Sequence, residues 1–300
     1  MKRLPLIALL LIPVAAIAAG AQRRIAFARE DNTVWIANLD GSGAKRVAAG
    51  VDPEISPDGT RVAYNTESAS GPERRIVVMD LATGRRITFT NVPSDNAFGP
   101  CWSPNGAKVL FYILIDGNWD IGVANADGGA FRILKKAGPN DQSFFSACWM
   151  PDGKSLFCQD LTNLYRIDLD GIVIKQWPLQ QLFPKGDMDS NVCISASPDG
   201  GALLMDVNMD VNMDVNMDMD SGRDGWDGPP PSIWEMDLST EKAEPVTPIF
   251  WWEPCWVNGD QFLCIEQGPK EKEPLIYLRS LDGKTRKVIV KDATDPSVSE

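Results

Sequence analysis

The sequence predicts an all-β fold, a six-bladed β-propeller of four-stranded antiparallel blades, and three observations carry that expectation. A phrase built around a Pro-Asp-Gly turn recurs as SPDGTRVAYNTES, SPNGAKVLFYILI, MPDGKSLFCQDLT and SPDGGALLMDVNM, its prolines at Pro57, Pro104, Pro151 and Pro198, a constant spacing of 47 residues. A fixed period of this length marks a repeated supersecondary unit. Each unit also holds a second turn, and both turns lie between runs rich in Val, Leu, Phe and Tyr. Two hairpins per unit are the content of one blade. Finally, DPSVSE at the C-terminus (295–300) echoes DPEIS (52–56), so the strand missing from the N-terminal unit is supplied by the other end of the chain. A ring closed in this way has no open sheet edge to template aggregation.

Residues 1–21 read as a secretory signal peptide, with a basic opening, a short apolar run broken by Pro13, and small residues at Ala19 to Ala21. The run is short for a spanning helix, and no cysteine follows it to carry a lipid. An uncleaved amphipathic anchor is the alternative. Residues 22–300 are expected to form one propeller domain, a monomer with no membrane span once the signal is removed.

RIAFARE, TVWIANLDG and AKRVAAG give the first unit three strands. Units two to five open on the four phrases above, and the sixth opens on CWVNGDQFLCI (255–265). The second hairpins turn at NLDGSG (38–43), DLATG (80–84), NADGG (125–129), DLDG (168–171), DLSTE (237–241) and SLDG (280–283), where Asp and Gly supply the positive φ that tight turns need. The fifth unit breaks the period. Pro198 to Val257, the position matching the turn proline, is 59 residues, 12 more than the repeat, and the excess equals three copies of the word DVNM within a low-complexity insertion at 206–228. Pro229 to Pro231 end it.

Composition excludes several functions. Without Lys2 and Arg3 the chain carries 27 basic and 41 acidic side chains, a formal charge of about −14, so nucleic acid is not an expected partner. The chain contains no histidine, which removes Ser-His-Asp and Cys-His nucleophiles and every His-ligated metal centre. It also lacks the G-x-S-x-G elbow of propeller-linked peptidases.

Two cysteine pairs, Cys148 with Cys158 and Cys255 with Cys264, flank first-hairpin turns symmetrically, so a disulfide across each is one expectation. The other is buried thiols packed beside Trp149 and Trp256, supported by Cys101, which fills the equivalent slot in the third unit opposite Phe111. Cys101 and Cys193 are expected to be free.

Loops joining second to third strands, and those joining one blade to the next, emerge on one face around the channel mouth. Three inter-blade segments bring an acid to the entry of an inner strand, Asp95, Asp141 and Asp189, with Phe98, Phe144, Phe145, Trp251 and Trp252 close by. Carboxylates converging there would suit calcium. An aromatic platform beside acids would suit a glycan or a peptide, with Phe98 and Trp251 stacking. The alternative is that these acids cap turns and these rings pack between blades. A second calcium candidate is NMDMDSGRD (216–224), with Asp218, Asp220, Asp224 and the nearby Asp227, although its glycine comes one place late and no glutamate closes the loop.

The phrases Ser56-Pro57-Asp58-Gly59, Trp102-Ser103-Pro104-Asn105-Gly106, Trp149-Met150-Pro151-Asp152-Gly153 and Ser197-Pro198-Asp199-Gly200 resemble the WSPDG repeats of TolB-like six-bladed propellers, and the resemblance runs over residues 22–300. It implies the fold and a periplasmic or secreted setting. Bacterial TolB carries an α/β domain ahead of its propeller, and residues 22–300 leave no room for one, which separates the fold from a role in the Tol system. The first functional expectation is a non-catalytic module whose loop face engages a protein or a cell-envelope glycan. The alternative is a glycoside hydrolase that uses two carboxylates among Asp95, Asp141 and Asp189 and needs no histidine. Propeller lyases that cleave pectic fragments use histidine-rich metal sites, and this chain departs from them.

Overall fold

The computed structural model describes residues 23–68, 70–138, 142–210, 229–267 and 273–300. The first blade contains β1 (Arg24–Arg29), β2 (Thr33–Asn38) and β3 (Lys45–Ala49). The second is β4 (Val51–Ile55), β5 (Arg61–Glu67), β6 (Arg74–Asp80) and β7 (Arg86–Thr88). The third is β8 (Ala97–Trp102), β9 (Lys108–Ile115), β10 (Asn118–Asn125) and β11 (Arg132–Lys135). The fourth is β12 (Phe145–Trp149), β13 (Ser155–Gln159), β14 (Asn163–Asp168) and β15 (Val173–Pro178). A single helical turn, α1 (Leu179–Leu182), and the two-residue β16 (Gly186–Asp187) lead into the fifth blade, β17 (Ile194–Ala196), β18 (Ala202–Met209), β19 (Pro231–Asp237) and β20 (Lys242–Pro245). The sixth is β21 (Trp251–Trp256), β22 (Gln261–Glu266), β23 (Leu275–Ser280) and β24 (Arg286–Lys291), and β25 (Thr294–Val298) ends the chain.

The sheet order β25-β1-β2-β3 is the expected closure, with Ile25 opposite Val298, Ala26 opposite Ser297 and Ala28 opposite Thr294. The other blades are antiparallel meanders. In the fifth, both β16 and β17 pair with β18, so its inner edge is split. Asp206 to Met209, expected to open the low-complexity insertion, belong to β18 instead. Residues 211–228, with Asp218, Asp220, Asp224 and Asp227, lie outside the described residues. No helix among the described residues is long and apolar enough to cross a membrane.

The recurring phrase has a local cause. In the second blade Asp58 Oδ1 accepts the N–H of Thr60 at 3.0 Å and the hydroxyl of Ser56 at 2.6 Å, while Ser56 Oγ accepts the N–H of Arg61 at 2.9 Å. Gly59 takes φ +66° and returns its N–H to the Ser56 carbonyl at 2.8 Å. Ser103, Asn105 and Gly106 repeat these contacts, as do Ser197, Asp199 and Gly200. Serine, an acid or amide, and glycine are therefore each required by one bond of a self-satisfied turn.

Burial is organised by seam. Six apolar clusters each join two neighbouring blades: Ala26, Val34, Ile55 and Tyr64 between the first and second, and Ile25, Phe27, Leu263 and Ile276 between the sixth and first. A blade is apolar on both faces, and the ring is the arrangement that covers all of them.

Candidate functional site

The innermost strands carry a bulge at one shared position. Ladder register slips between Val51 and Glu54, Phe98 and Cys101, Phe145 and Cys148, and Trp252 and Cys255. At these slips, and at the equivalent place in β25, the backbone is left-handed: Asp52 (φ 50°), Gly99 (61°), Ser146 (55°), Glu253 (50°) and Asp295 (52°). A proline follows four of the five and has no N–H to leave unpaired in the broken ladder. Left-handed backbone at non-glycine residues is uncommon and gathers where the surrounding structure holds it for a purpose. At Gly99 glycine is required, because a Cβ would meet the Tyr112 ring at 2.7 Å.

These bulges form the rim of a central cavity of about 440 Å³, lined among others by Asp52, Phe98, Tyr112, Ser146, Cys193, Glu253 and Asp295. Asp295, Glu253 and Asp52 sit on three consecutive inner strands, and Asp206 on β18 extends the arc behind Glu253. Burial is the main cause of the upward shift in all four. Asp52 reaches about 7, with Asp295 adding repulsion and the Arg74 guanidinium partly offsetting it. Asp206 also reaches about 7, against the N–H of Cys193 that it accepts. Glu253 is pushed well above the carboxylate range by burial and by Asp295, although it accepts the N–H of Asp295 at 2.7 Å. Asp295 is raised by burial and partly relieved by Thr294 Oγ1 at 2.9 Å. The opposite arc of the rim is neutral, with Gly99, Ser146 and the Tyr112 ring.

One turn of pleat deeper lies a second ring: Glu54, Cys101, Cys148, Ser195, Cys255 and Ser297. Its members serve the next blade. Ser195 Oγ accepts the N–H of Trp256 and Ser297 Oγ that of Ile55, both at 3.0 Å. The N–H groups of Trp149, Ala196 and Val298 bond in the same way to Cys101, Cys148 and Cys255. Burial nevertheless pushes the Cys148 thiol up to about 12 and Cys101 and Cys255 well above their usual value. Burial alone pushes Glu54 to about 8.

The expected disulfides do not form, and all six cysteines are free. The bulge is the reason. It sets Cys148 opposite Phe157 and Cys255 opposite Leu263, so Cys158 and Cys264 are each one residue along and point to the other face of the sheet. The same slip places Cys101 opposite Leu110 and not Phe111. Cys148 packs in the seam with the fifth blade and Cys158 in the seam with the third.

Of the sequence-predicted acids, Asp95 and Asp189 do not line the cavity. Asp95, just before β8, lies 4.0 Å from Arg75 with a half-exposed side chain. Asp189 is exposed and accepts the N–H of Asn191 at 2.7 Å and the Asn208 amide at 2.8 Å. Asp141 lies outside the described residues. Among the described residues no group of three or more acidic or cysteine side chains has a geometry that could hold a metal ion. Of the aromatics, Phe98 lines the cavity, stacked under the Arg74 guanidinium at 4.2 Å and edge-on to Trp119 at 4.9 Å. Phe144 and Trp251 are buried, Phe144 against Tyr165 and Trp251 against Tyr277 and Arg279, and Trp252 packs into the seam with the first blade. In a broader groove of about 660 Å³ on the opposite face, between the second and third blades, Asp80 and Asp127 cap turns and Arg61 donates to the Gly106 carbonyl.

A family model described as the TolB β-propeller domain matches residues 19–291. The TolB homolog of Chlorobaculum tepidum is 29% identical over 109 residues, 35% of this chain and 24% of that protein. Tricorn protease homolog 1 of Streptomyces coelicolor is 40% identical over 68 residues, 21% of this chain and 6% of that protein. The chain thus spans a quarter or less of the length of these curated relatives. Among solved structures, TolB from Acinetobacter baumannii superposes with a TM-score of 0.67 at 20% identity, over 92% of this chain and 66% of that one. A putative TolB from Agrobacterium tumefaciens gives 0.62 at 17%, over 90% and 89%. With its fold, its seams and the match over nearly its whole length, the chain belongs to the TolB β-propeller domain family.

Proposed function

We propose that this chain is an exported, periplasmic or secreted binding module whose loop face docks a protein partner of the cell envelope and whose channel mouth admits a positively charged side chain of that partner. The observation that carries this reading is the arc Glu253, Asp295 and Asp52 at the rim of the 440 Å³ cavity, with Asp206 behind Glu253 and with Phe98 and Tyr112 also lining the cavity. Buried carboxyls that repel one another gain most from a cation, and the apolar wall would take the methylene stem of a lysine or arginine.

Binding of a cation displaces protons from the raised carboxyls, so affinity rises with pH and falls with salt. Fluorescence anisotropy with a lysine-rich peptide, and with its glutamate counterpart, tests this. The basic peptide should bind several-fold more tightly at pH 8 than at pH 6, and Glu253→Gln should weaken it. Equal binding of the two peptides, or none of either, would remove the reading.

A second reading is a carbohydrate-active enzyme. It is favoured by two carboxyls that line the cavity, Asp52, raised to about 7, and Glu253, raised well above the ordinary carboxylate range, since a carboxyl that keeps its proton near neutral pH suits a general acid. Screening plant and bacterial polysaccharides decides it, and sustained absence of product would leave binding alone.

A further inference from the structure

We propose that the C-terminal strand β25 is a proton-operated latch: the ring stays shut while Asp295, Glu253 and Asp52 share protons across the seam, and it loosens at that strand when they ionise together. The inference rests on how the ring closes and does not depend on which partner it binds.

β25 is the innermost strand without a covalent turn to its sheet partner. β4, β8, β12, β17 and β21 each run directly into the next strand of their own blade, whereas β25 pairs with β1 at the far end of the sequence. That ladder has three residue pairs and a register slip between Ala26 and Ala28. Beyond that ladder, main-chain bonds run from the Ser299 N–H to the Arg24 carbonyl and from the Glu300 N–H to the Pro57 carbonyl, both at 2.9 Å, and the other ties use side chains. Ser297 Oγ donates to the Pro53 carbonyl at 3.0 Å, Arg24 N–H donates to Ser299 Oγ at 2.9 Å, and Asp295 N–H donates to Glu253.

The groups that face Asp295 are acids. On one side is Glu253 of β21 and on the other Asp52 of β4. Beyond them stand Asp206 of β18 behind Glu253 and Glu67 of β5 beside Asp52. The cation that faces this set is Arg74 of β6, on the Asp52 side, its guanidinium already bonded to Asn96 and stacked on Phe98. β1 presents Ala26 and Ala28 to β25 and adds no charge. When the three carboxyls ionise, like charges on three adjacent strands repel across a narrow lumen. Of the three strands, β25 is the one whose place in its sheet is held by non-covalent contacts alone.

The sign follows from burial. Asp295, Glu253 and Asp52 all hold protons more tightly in the closed ring than in an opened strand. Closure is therefore favoured fully below the ordinary carboxylate range, and the advantage is lost as pH rises through the folded values, about 7 for Asp52 and well above the ordinary carboxylate range for Glu253. Each carboxyl that titrates raises the opening constant by up to about tenfold per pH unit in that window.

Amide hydrogen exchange on the full chain tests the latch, with intrinsic rates corrected at each pH. Protection of Val298 and Ser299, relative to Ile276 and Leu278 of β23, should fall by about tenfold or more between pH 5.5 and 7.5. Asp295→Asn should flatten that ratio, since asparagine tolerates the left-handed backbone and cannot ionise. Glu253→Gln serves the same readout if the first variant does not fold, and Asp95→Asn, at a position that does not line the cavity, should leave the slope unchanged. A ratio flat with pH in the parent protein, or one that falls equally in both channel variants, overturns the proposal.

Discussion

The main-chain N–H of Asp295 donates to the Glu253 carboxylate at 2.7 Å, bonding the last strand of the chain to the inner strand of the sixth blade. The bond is one case of a general device. An innermost strand turns one edge of unpaired N–H and C=O groups toward the lumen, and a side chain from the neighbouring blade covers it.

Ser297 shows how much that device contributes. Its hydroxyl is buried, accepts Ile55 N–H at 3.0 Å and donates to the Pro53 carbonyl at 3.0 Å. Ser297→Ala leaves both main-chain groups without a partner, and the expected loss is about 2 kcal/mol. Urea unfolding should show a lower midpoint at unchanged slope. A loss below about 0.5 kcal/mol would mean that lumen water satisfies both groups equally well.

The thiols make a second prediction. Burial pushes Cys148 and Cys158 up to about 12, so at neutral pH neither is a thiolate, and all six cysteines are reduced. The native protein should resist thiol reagents at pH 7, release six equivalents in denaturant, and show the same melting temperature with and without reductant. A drop in melting temperature on reduction would mean that a bridge exists after all.

The period and the closure were legible because they depend on turn chemistry. Ser56, Asp58 and Gly59 each satisfy a bond that the turn cannot omit, so the phrase survives repetition and can be counted. The site was not, for the opposite reason. The rim position is occupied by Asp52, Gly99, Ser146, Glu253 and Asp295, residues that share a backbone angle and no chemistry. Its trace in the sequence is the proline that follows four of them, visible in DPEIS and DPSVSE, which point to closure before they point to a cavity. Asp95 and Asp189 attract notice as loop acids, but they precede the bulge and face solvent. The bulge also defeats any pairing drawn symmetrically about the turn, which is why Cys148 and Cys158 are not partners.

Gly99 tests the bulge itself. Its φ of 61° and the Tyr112 ring 2.7 Å from a notional Cβ oppose any side chain there. Gly99→Ala should cost about 3 kcal/mol, combining a left-handed alanine with displacement of a packed ring. The near-ultraviolet dichroism of Tyr112 and its neighbours Phe98 and Trp119 should change with it. An alanine variant as stable as the parent would mean that the rim is pliable and its cavity not preformed.

Asp206 adds a pH dependence of its own, read from global stability, because it lies on β18, inside a covalently continuous blade. Its carboxylate accepts Cys193 N–H, yet burial, with Asp189 adding repulsion, holds it at about 7. A raised folded value means that the stabilisation is complete below the ordinary aspartate range and is lost as pH climbs toward 7, up to about 4 kcal/mol by pH 8. Asp206→Asn keeps an oxygen for the Cys193 N–H and removes the proton. The parent's melting temperature should therefore fall between pH 5 and pH 8, and the variant's should fall less, leaving the variant the more stable of the two at pH 8. Parallel curves for the two proteins would assign the pH dependence to other carboxyls and show that Asp206 ionises in the folded ring without cost.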